Sequence, residues 1–219
     1  PATSSNGSAS KDNYRAILSK KDLDGLIKEL KKAKVLAFDT ETDSLDFTQA
    51  NLVGLSVATD EENAYYIPLG HDYEGAPKQL DRDEVLKKLK PIIEKTPLIG
   101  QHLKFDRNVL ANYDISLNVI ENDTMLMSYV YDPTATRHNL DAMASHYLNV
   151  KTTTFEDVAG KGVKQLTFNQ IPLEKASDYA AEDADITFRC YSHLKPALAK
   201  TPSLEKVLHE IELPLVPVL

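Results

Sequence analysis

The sequence predicts an α/β domain built on a mixed sheet flanked by helices. Three apolar segments with short connectors near the start read as an antiparallel meander. The rest of the chain alternates helical patterns with short apolar strands. Its 219 residues, 42% hydrophobic and 26% charged, suit one ordinary globular domain with a short appendage.

Ser19, followed by Asp22, opens the first helix, with Leu23, Leu26, Ile27 and Leu30 at helical spacing. Residues 35–41, 52–59 and 64–69 are rich in Val, Leu, Phe and Tyr and are predicted strands. Residues 81–94 are a predicted helix with Leu86, Leu89 and Ile93 inside, and 97–100 a short strand. Helical patterns follow at 103–112, 124–131 and 139–148. Residues 160–170 carry glycines and lysines and read as a loop, after which a long helix runs over 173–199. The opening PATSSNGSAS is small and polar, so a flexible linker is expected over 1–12. The final IELPLVPVL is apolar and stops abruptly, so the chain is expected to be a piece of a longer one.

Composition narrows the chemistry. A single cysteine excludes an internal disulfide and a cysteine-based zinc cage, and fits a reducing compartment. No apolar run is long enough to span a bilayer, and the opening residues are not expected to act as a signal peptide. The net charge of -8 argues, at first sight, against a polyanionic partner. The first 34 residues hold eight basic and four acidic groups, leaving 17 basic and 29 acidic in the remainder, so a site in the main body sits in an acidic field.

Three carboxylate placements need a reason. In VLAFDTET, side chains alternate, so Asp39 and Glu41 share the face begun by Val35 and Ala37. Two adjacent carboxylates on a buried face repel each other and lose hydration; the alternative is that the strand has ended and both are solvated. Asp106 lies inside the stripe of Leu103, Val109, Leu110 and Tyr113, or else is a first-turn acid favoured by the helix dipole. On the long helix, Ala176, Tyr179, Ala180, Ile186, Cys190 and Leu194 form one face, and Asp178, Glu182, Asp185 and Arg189 the opposite, polar one. Asp183 belongs to the apolar face, four residues after Tyr179. It needs a partner: a distant Arg or Lys, or a metal. Four carboxylates from a strand end and two helices could converge on one point, and oxygen ligands favour magnesium or manganese. Two such ions about 3.5–4 Å apart suit phosphoryl chemistry.

Six segments carry a resemblance in their order and spacing: FDTETDSLD (38–46), LVGLSVA (52–58), GQHLKFDRNVL (100–110), DTMLMSY (123–129), KQLTFNQI (164–171) and YAAEDADIT (179–187). Over residues 13–219 the chain resembles the 3′–5′ proofreading exonuclease domain of bacterial DNA polymerase I, in the tyrosine subgroup of the DEDD exonuclease superfamily. The resemblance implies a ribonuclease H-like mixed sheet of five strands, three antiparallel and then parallel, flanked by helices. It implies a nuclease domain over 13–205 and, over 206–219, the start of a connection to an absent polymerase domain. It further implies a two-metal exonuclease, using Mg²⁺ or Mn²⁺, that releases 5′-mononucleotides from single-stranded or frayed DNA 3′ ends. The expected setting is monomeric, bacterial, cytoplasmic and nucleoid-associated, in replication and repair.

Residue by residue, the resemblance implies that Asp39, Glu41 and Asp183 hold the first metal, that Asp39 bridges to the second, and that Asp106 supports it through water. Tyr179 orients the attacking water; a phenol with pKa about 10 stays protonated and can do so. Leu45 and Phe155 match positions that pack against terminal bases, where ordinary core is the alternative. The Thr42 backbone amide matches a contact to the terminal 3′-hydroxyl. Gln101 and Arg137 match positions near the scissile end, with a plain surface charge the alternative for Arg137. His102 and Phe105 stand where family members often carry Asn and Tyr; Phe105 keeps a stacking face without a hydroxyl, and His102 can still donate to phosphate. Two divalent ions would bring the loaded domain near -4, with positive charge where the scissile phosphate sits.

Two other functions compete. One is an RNA-trimming exonuclease of the same superfamily, against which the linker and the apolar tail argue. The other is a catalytically silent module that binds DNA ends or braces a polymerase, against which the intact acids argue. Lys161 and Lys164 read as a solvated loop, Asp123 and Asn139 as helix caps, and Cys190 as a core thiol. His71, His138, His146, His193 and His209 show no ligand spacing.

Overall fold

The computed structural model describes residues 7–8, 11–61 and 63–218. Strand β1 (Gly7–Ser8) and strand β2 (Tyr14–Ala16) precede helix α1 (Lys20–Leu30), which Ser19 caps through the Asp22 amide. The meander is β3 (Leu36–Thr42), β4 (Leu52–Ala58) and β5 (Ala64–Pro68). Then come α2 (Arg82–Ile93), β6 (Leu98–Gly100), α3 (Leu103–Ala111), β7 (Ile120–Asp123) and α4 (Thr124–Tyr131). Helix α5 (Leu140–Met143) runs on into a π-helical turn at Ala144–Leu148, followed by β8 (Val150–Lys151) and α6 (Phe155–Ala159). The long α7 (Leu173–Ala199), α8 (Pro202–Val207) and α9 (Leu213–Leu215) complete the order.

Among the described residues the main sheet has six strands, in the order β2-β5-β4-β3-β6-β7. The pairs β3–β4 and β4–β5 are antiparallel; β3–β6, β6–β7 and β2–β5 are parallel. This corrects the expected five strands. The extra one, Tyr14–Ala16, is too short to show alternation and is defined by backbone pairing with residues 64–66.

The sheet is covered on both sides, as a central strand with two apolar faces requires. Leu36 and Phe38 of β3 pack with Leu23, Leu26 and Leu30 of α1 and Val85 and Leu89 of α2. Ala37 faces the other way, into a cluster with Ala181, Ala184, Ile186 and Cys190 of α7. The Cys190 thiol is fully buried and pushed up to about 12 by that burial, an inert core group.

The charged edge of α7 is only partly open to solvent: Asp178 is exposed, but Glu182 and Asp185 are buried. The helix is roofed there by Lys11, Tyr14 and Thr153, which no helical periodicity could reveal. Of the stretch expected to be a linker, residues 1–6, 9 and 10 lie outside the described residues. Gly7–Ser8 pairs in parallel with Val150–Lys151, and Lys11 donates to Thr153 Oγ1 at 2.9 Å. Residues 202–215 are helical, and Leu208 and Val216 are buried. Among the described residues, no helix is long and apolar enough to cross a membrane.

Candidate active site

Small side chains decide how closely α7 approaches the sheet. On its side of β3 and β4, Ala37 is paired with Ala58, Asp39 with Ser56 and Glu41 with Gly54. The helix answers with Ala176, Ala180, Ala181 and Ala184, all buried. The register slips between Glu41 and Thr42, a bulge at the strand end that re-aims the chain there. Asp39, Glu41 and Asp183 then each offer a carboxylate oxygen, and these oxygens lie within 4.8 Å of one another.

Such a cluster is electrostatically unfavourable by itself. The Glu41 carboxyl is raised well above its ordinary value by burial, and further by the charges of Asp183 and Asp106. Burial likewise lifts Asp39, reinforced by Asp106, Glu41 and Asp183 and partly offset by the Thr40 amide. Asp183 is lifted by burial and the charge of Asp141, against which the Tyr179 hydroxyl bond and Lys11 act. Glu41 Oε1 is buried and has no hydrogen-bond partner among the described residues. An orphaned carboxylate oxygen beside two further carboxylates fits a hard divalent cation.

Asp106 is held apart from this trio. It sits in the first turn of α3, 2% exposed, and one oxygen accepts from the Thr40 backbone N–H at 2.8 Å and the Thr40 hydroxyl at 2.6 Å. Burial pushes it up to about 7, against those two bonds. It is near enough to raise Asp39 and Glu41 electrostatically. The Tyr179 hydroxyl donates to Asp183; the charge of Asp183, then burial, then Glu41 and Asp39 raise it far above the ordinary phenol value, so it stays protonated.

Beside the acids lies a groove of about 670 Å³. Glu41, Thr42, Leu45, Phe105, Phe155 and Tyr179 line it, with Leu166 and Phe168 from the loop before α7. Leu45 is 93% exposed and so is not core, whereas Phe155 packs edge-on against Tyr179, ring centres 6.1 Å apart. Gln101, His102 and Arg137 lie outside that lining. The Gln101 amide donates to the His138 carbonyl and accepts from Thr124 Oγ1. His102 is exposed, with left-handed backbone at the start of α3, and lines a separate hollow with Lys104 and Glu212. Arg137 is exposed between α4 and α5. Lys161 pairs with Glu156.

Some positioning groups escaped the sequence reading. Asp123 caps α4 through the Met125 and Leu126 amides, as its place at the head of DTMLMSY suggested. It also accepts from the His102 and Leu103 amides at 3.2 and 2.8 Å, so one carboxylate anchors the starts of two helices. Thr40, within the DTE motif, ties Asp106 to the strand. Asn139 caps α5 as expected.

Comparison with known proteins identifies the family. Residues 14–199 match the family model described as 3′–5′ exonuclease. The chain is 53% identical over 211 residues to DNA polymerase I of Pseudomonas aeruginosa and 40% identical over 205 residues to that of Borreliella burgdorferi. These matches take in 94% and 92% of this chain but 23% and 21% of the two relatives, so the chain spans under a quarter of their length. In fold it is similar to Escherichia coli RNase D, described as an exoribonuclease involved in structured RNA processing: TM-score 0.64, 18% identity, 92% of this chain and 49% of that one. With a family model matching most of its length and relatives such as these two polymerases, the chain belongs to the 3′–5′ exonuclease domain family of DNA polymerase I, a family of hydrolytic nucleases.

Proposed function

We propose that the chain is a two-metal 3′–5′ exonuclease that hydrolyses the terminal phosphodiester of single-stranded or frayed DNA and releases 5′-mononucleotides, as the proofreading part of a DNA polymerase I. The observation that carries this reading is the trio Asp39, Glu41 and Asp183, with its orphaned Glu41 oxygen, at the edge of an apolar groove. Residues 13–205 carry the nuclease chemistry, braced by Gly7–Ser8 and Lys11 from the stretch ahead of them, and 206–219 lead toward the polymerase domain. The unit acts as a monomer.

Asp39, Glu41 and Asp183 would hold one Mg²⁺ or Mn²⁺, with Asp39 and Asp106 on the side of a second. When bound, these ions supply Lewis acidity, lowering the pKa of water and offsetting charge on the phosphate oxygens. Tyr179, kept protonated by the neighbouring carboxylates, orients the water by hydrogen bonding and does not take its proton. Leu45, Phe105 and Phe155 receive the terminal bases by stacking and apolar contact, which is indifferent to sequence. The Thr42 backbone N–H meets the 3′-hydroxyl. Gln101, His102 and Arg137 meet the strand beyond the groove, which carries the DNA backbone on toward α4 and α5.

The test is digestion of 3′-labelled single-stranded DNA with Mg²⁺, beside an EDTA control and Asp183→Ala, with an RNA oligomer of equal sequence in parallel. Mononucleotide release from DNA that EDTA and Asp183→Ala abolish is expected. DNA left equally intact by wild type and mutant overturns the catalytic reading; a strong preference for RNA overturns the DNA assignment.

A further inference from the structure

Helix α7 carries a second set of charges, on the edge turned away from the groove. Glu182 and Asp185, flanking Asp183 in sequence, are 1% and 0% exposed. Glu182 Oε2 accepts from the Thr153 backbone N–H at 2.8 Å and lies 3.6 Å from Lys11 Nζ. The same Lys11 donates to Thr153 Oγ1 at 2.9 Å, closing a three-membered network. Asp185 accepts from the Tyr14 hydroxyl at 2.7 Å and lies 3.7 Å from Arg189. Buried charge is costly unless paired, so each of these contacts holds its partners firmly in place.

What the network joins gives it meaning. Glu182 is the residue before Asp183. Thr153 precedes Thr154, whose side chain and backbone form the capping box that starts α6. The first residue of α6 is Phe155, which lines the groove and packs against Tyr179. Glu182 thus links the helix that carries the carboxylate to the start of the helix that carries the base-contacting ring. Strand β1, paired with β8 just ahead of Thr153, brings the N-terminal segment to where Lys11 can reach both.

We infer that Glu182, with Lys11 as its counter-ion, is a positioning residue that sets the spacing between Phe155 and the Asp183–Tyr179 face of α7. The N-terminal segment is thereby a working part of the active site. Neither residue touches the substrate: a terminal base seated on Phe155 presents its phosphate to the acids only while α6 and α7 keep their relative placement. The inference rests on the exonuclease reading above.

The test compares the wild-type chain with Glu182→Ala, Glu182→Gln, Lys11→Met, Lys11→Arg, Phe155→Ala and the Phe155→Ala/Glu182→Ala double variant. Turnover and KM are measured on 3′-labelled single-stranded DNA, Mn²⁺ affinity by electron paramagnetic resonance, and melting temperature alongside. Glu182→Ala should lower kcat/KM by about 10- to 100-fold, as a misplacement of about an ångström away from the chemistry does, with a raised KM. In the Phe155→Ala background that KM change should vanish, since contacts acting as one unit are not additive. Lys11→Arg should restore what Lys11→Met loses. Additive KM effects, or Glu182→Ala turnover equal to wild type, overturn the inference. If Glu182→Ala does not fold, Glu182→Gln, which keeps an acceptor oxygen, and Lys11→Met decide it in the same way. A wild-type chain that binds Mn²⁺ but leaves DNA intact overturns the exonuclease reading alone. The tether is then read from the affinity for single-stranded DNA, which Glu182→Ala should weaken about tenfold in the wild-type background and leave unchanged in the Phe155→Ala background; unchanged affinity in the wild-type background overturns it.

Discussion

Two residues show how charge placement decides chemical role. Tyr179 has three carboxylates near its hydroxyl, and each makes a phenolate less favourable. It is therefore a donor that orients, and Tyr179→Phe should slow hydrolysis about 10- to 100-fold while Mn²⁺ affinity stays close to wild type. Unchanged turnover would remove the assigned role. Thr40 gives Asp106 two hydrogen bonds, one from its backbone and one from its hydroxyl. Thr40→Val preserves shape and deletes the hydroxyl donor, leaving a buried carboxyl less well satisfied. It should cost about 1–3 kcal/mol, read from the urea midpoint, and lift Asp106 further above about 7. At this scale Asp183 was legible, because a lone acid in an apolar helical stripe asks for a partner. Glu182 and Asp185 were not, because their burial comes from Lys11, Tyr14 and Thr153, far away in sequence.

The elements follow local rules closely. The spans of α4 and α7 follow from sequence periodicity, and Ser19, Asp81, Asp123 and Asn139 cap their helices through side-chain oxygens. What periodicity cannot supply is the fit between elements. Gly54, opposite Glu41, has its open side filled by the Tyr66 ring, and a methyl group there would overlap that ring. Tyr66 is fully buried and its hydroxyl meets His71 Nε2 at 2.8 Å, so the ring has nowhere to go. Gly54→Ala should therefore destabilise the domain by about 1–3 kcal/mol, seen as a lower urea midpoint with an unchanged slope, and disturb Glu41 across the pair. A midpoint equal to wild type would show that β4 yields more easily than its packing suggests. Strand β2 escaped the sequence reading for a related reason: three residues carry too few side chains to show a period, and only the partner strand defines them.

For the whole molecule, the acidity noted at the outset is concentrated where it is least comfortable. Asp39, Glu41, Asp106 and Asp183 all hold protons more tightly in the fold than in the unfolded chain. Their contribution to stability is therefore fully present below the unfolded carboxylate pKa of about 4. It is lost as pH rises through the folded values, about 7 for Asp106. The metal-free chain should thus lose melting temperature between mildly acid and alkaline pH. Mg²⁺ should restore it most strongly at the alkaline end, because cation binding competes with protons, and Asp183→Ala should blunt that rescue. A melting temperature indifferent to Mg²⁺ at pH 8 would count against the metal assignment. By itself, the sequence determined the α/β class, most element spans, the helix caps and the identity of the acids, because backbone period and capping are set within a few neighbouring residues. Only the tertiary structure decided that three of those acids come within 4.8 Å, that Asp106 is held off by Thr40, and that a buried Glu182 ties two helices together. Those outcomes depend on how closely α7 settles on a sheet surface of Ala, Ser and Gly, a distance set by packing between segments more than a hundred residues apart.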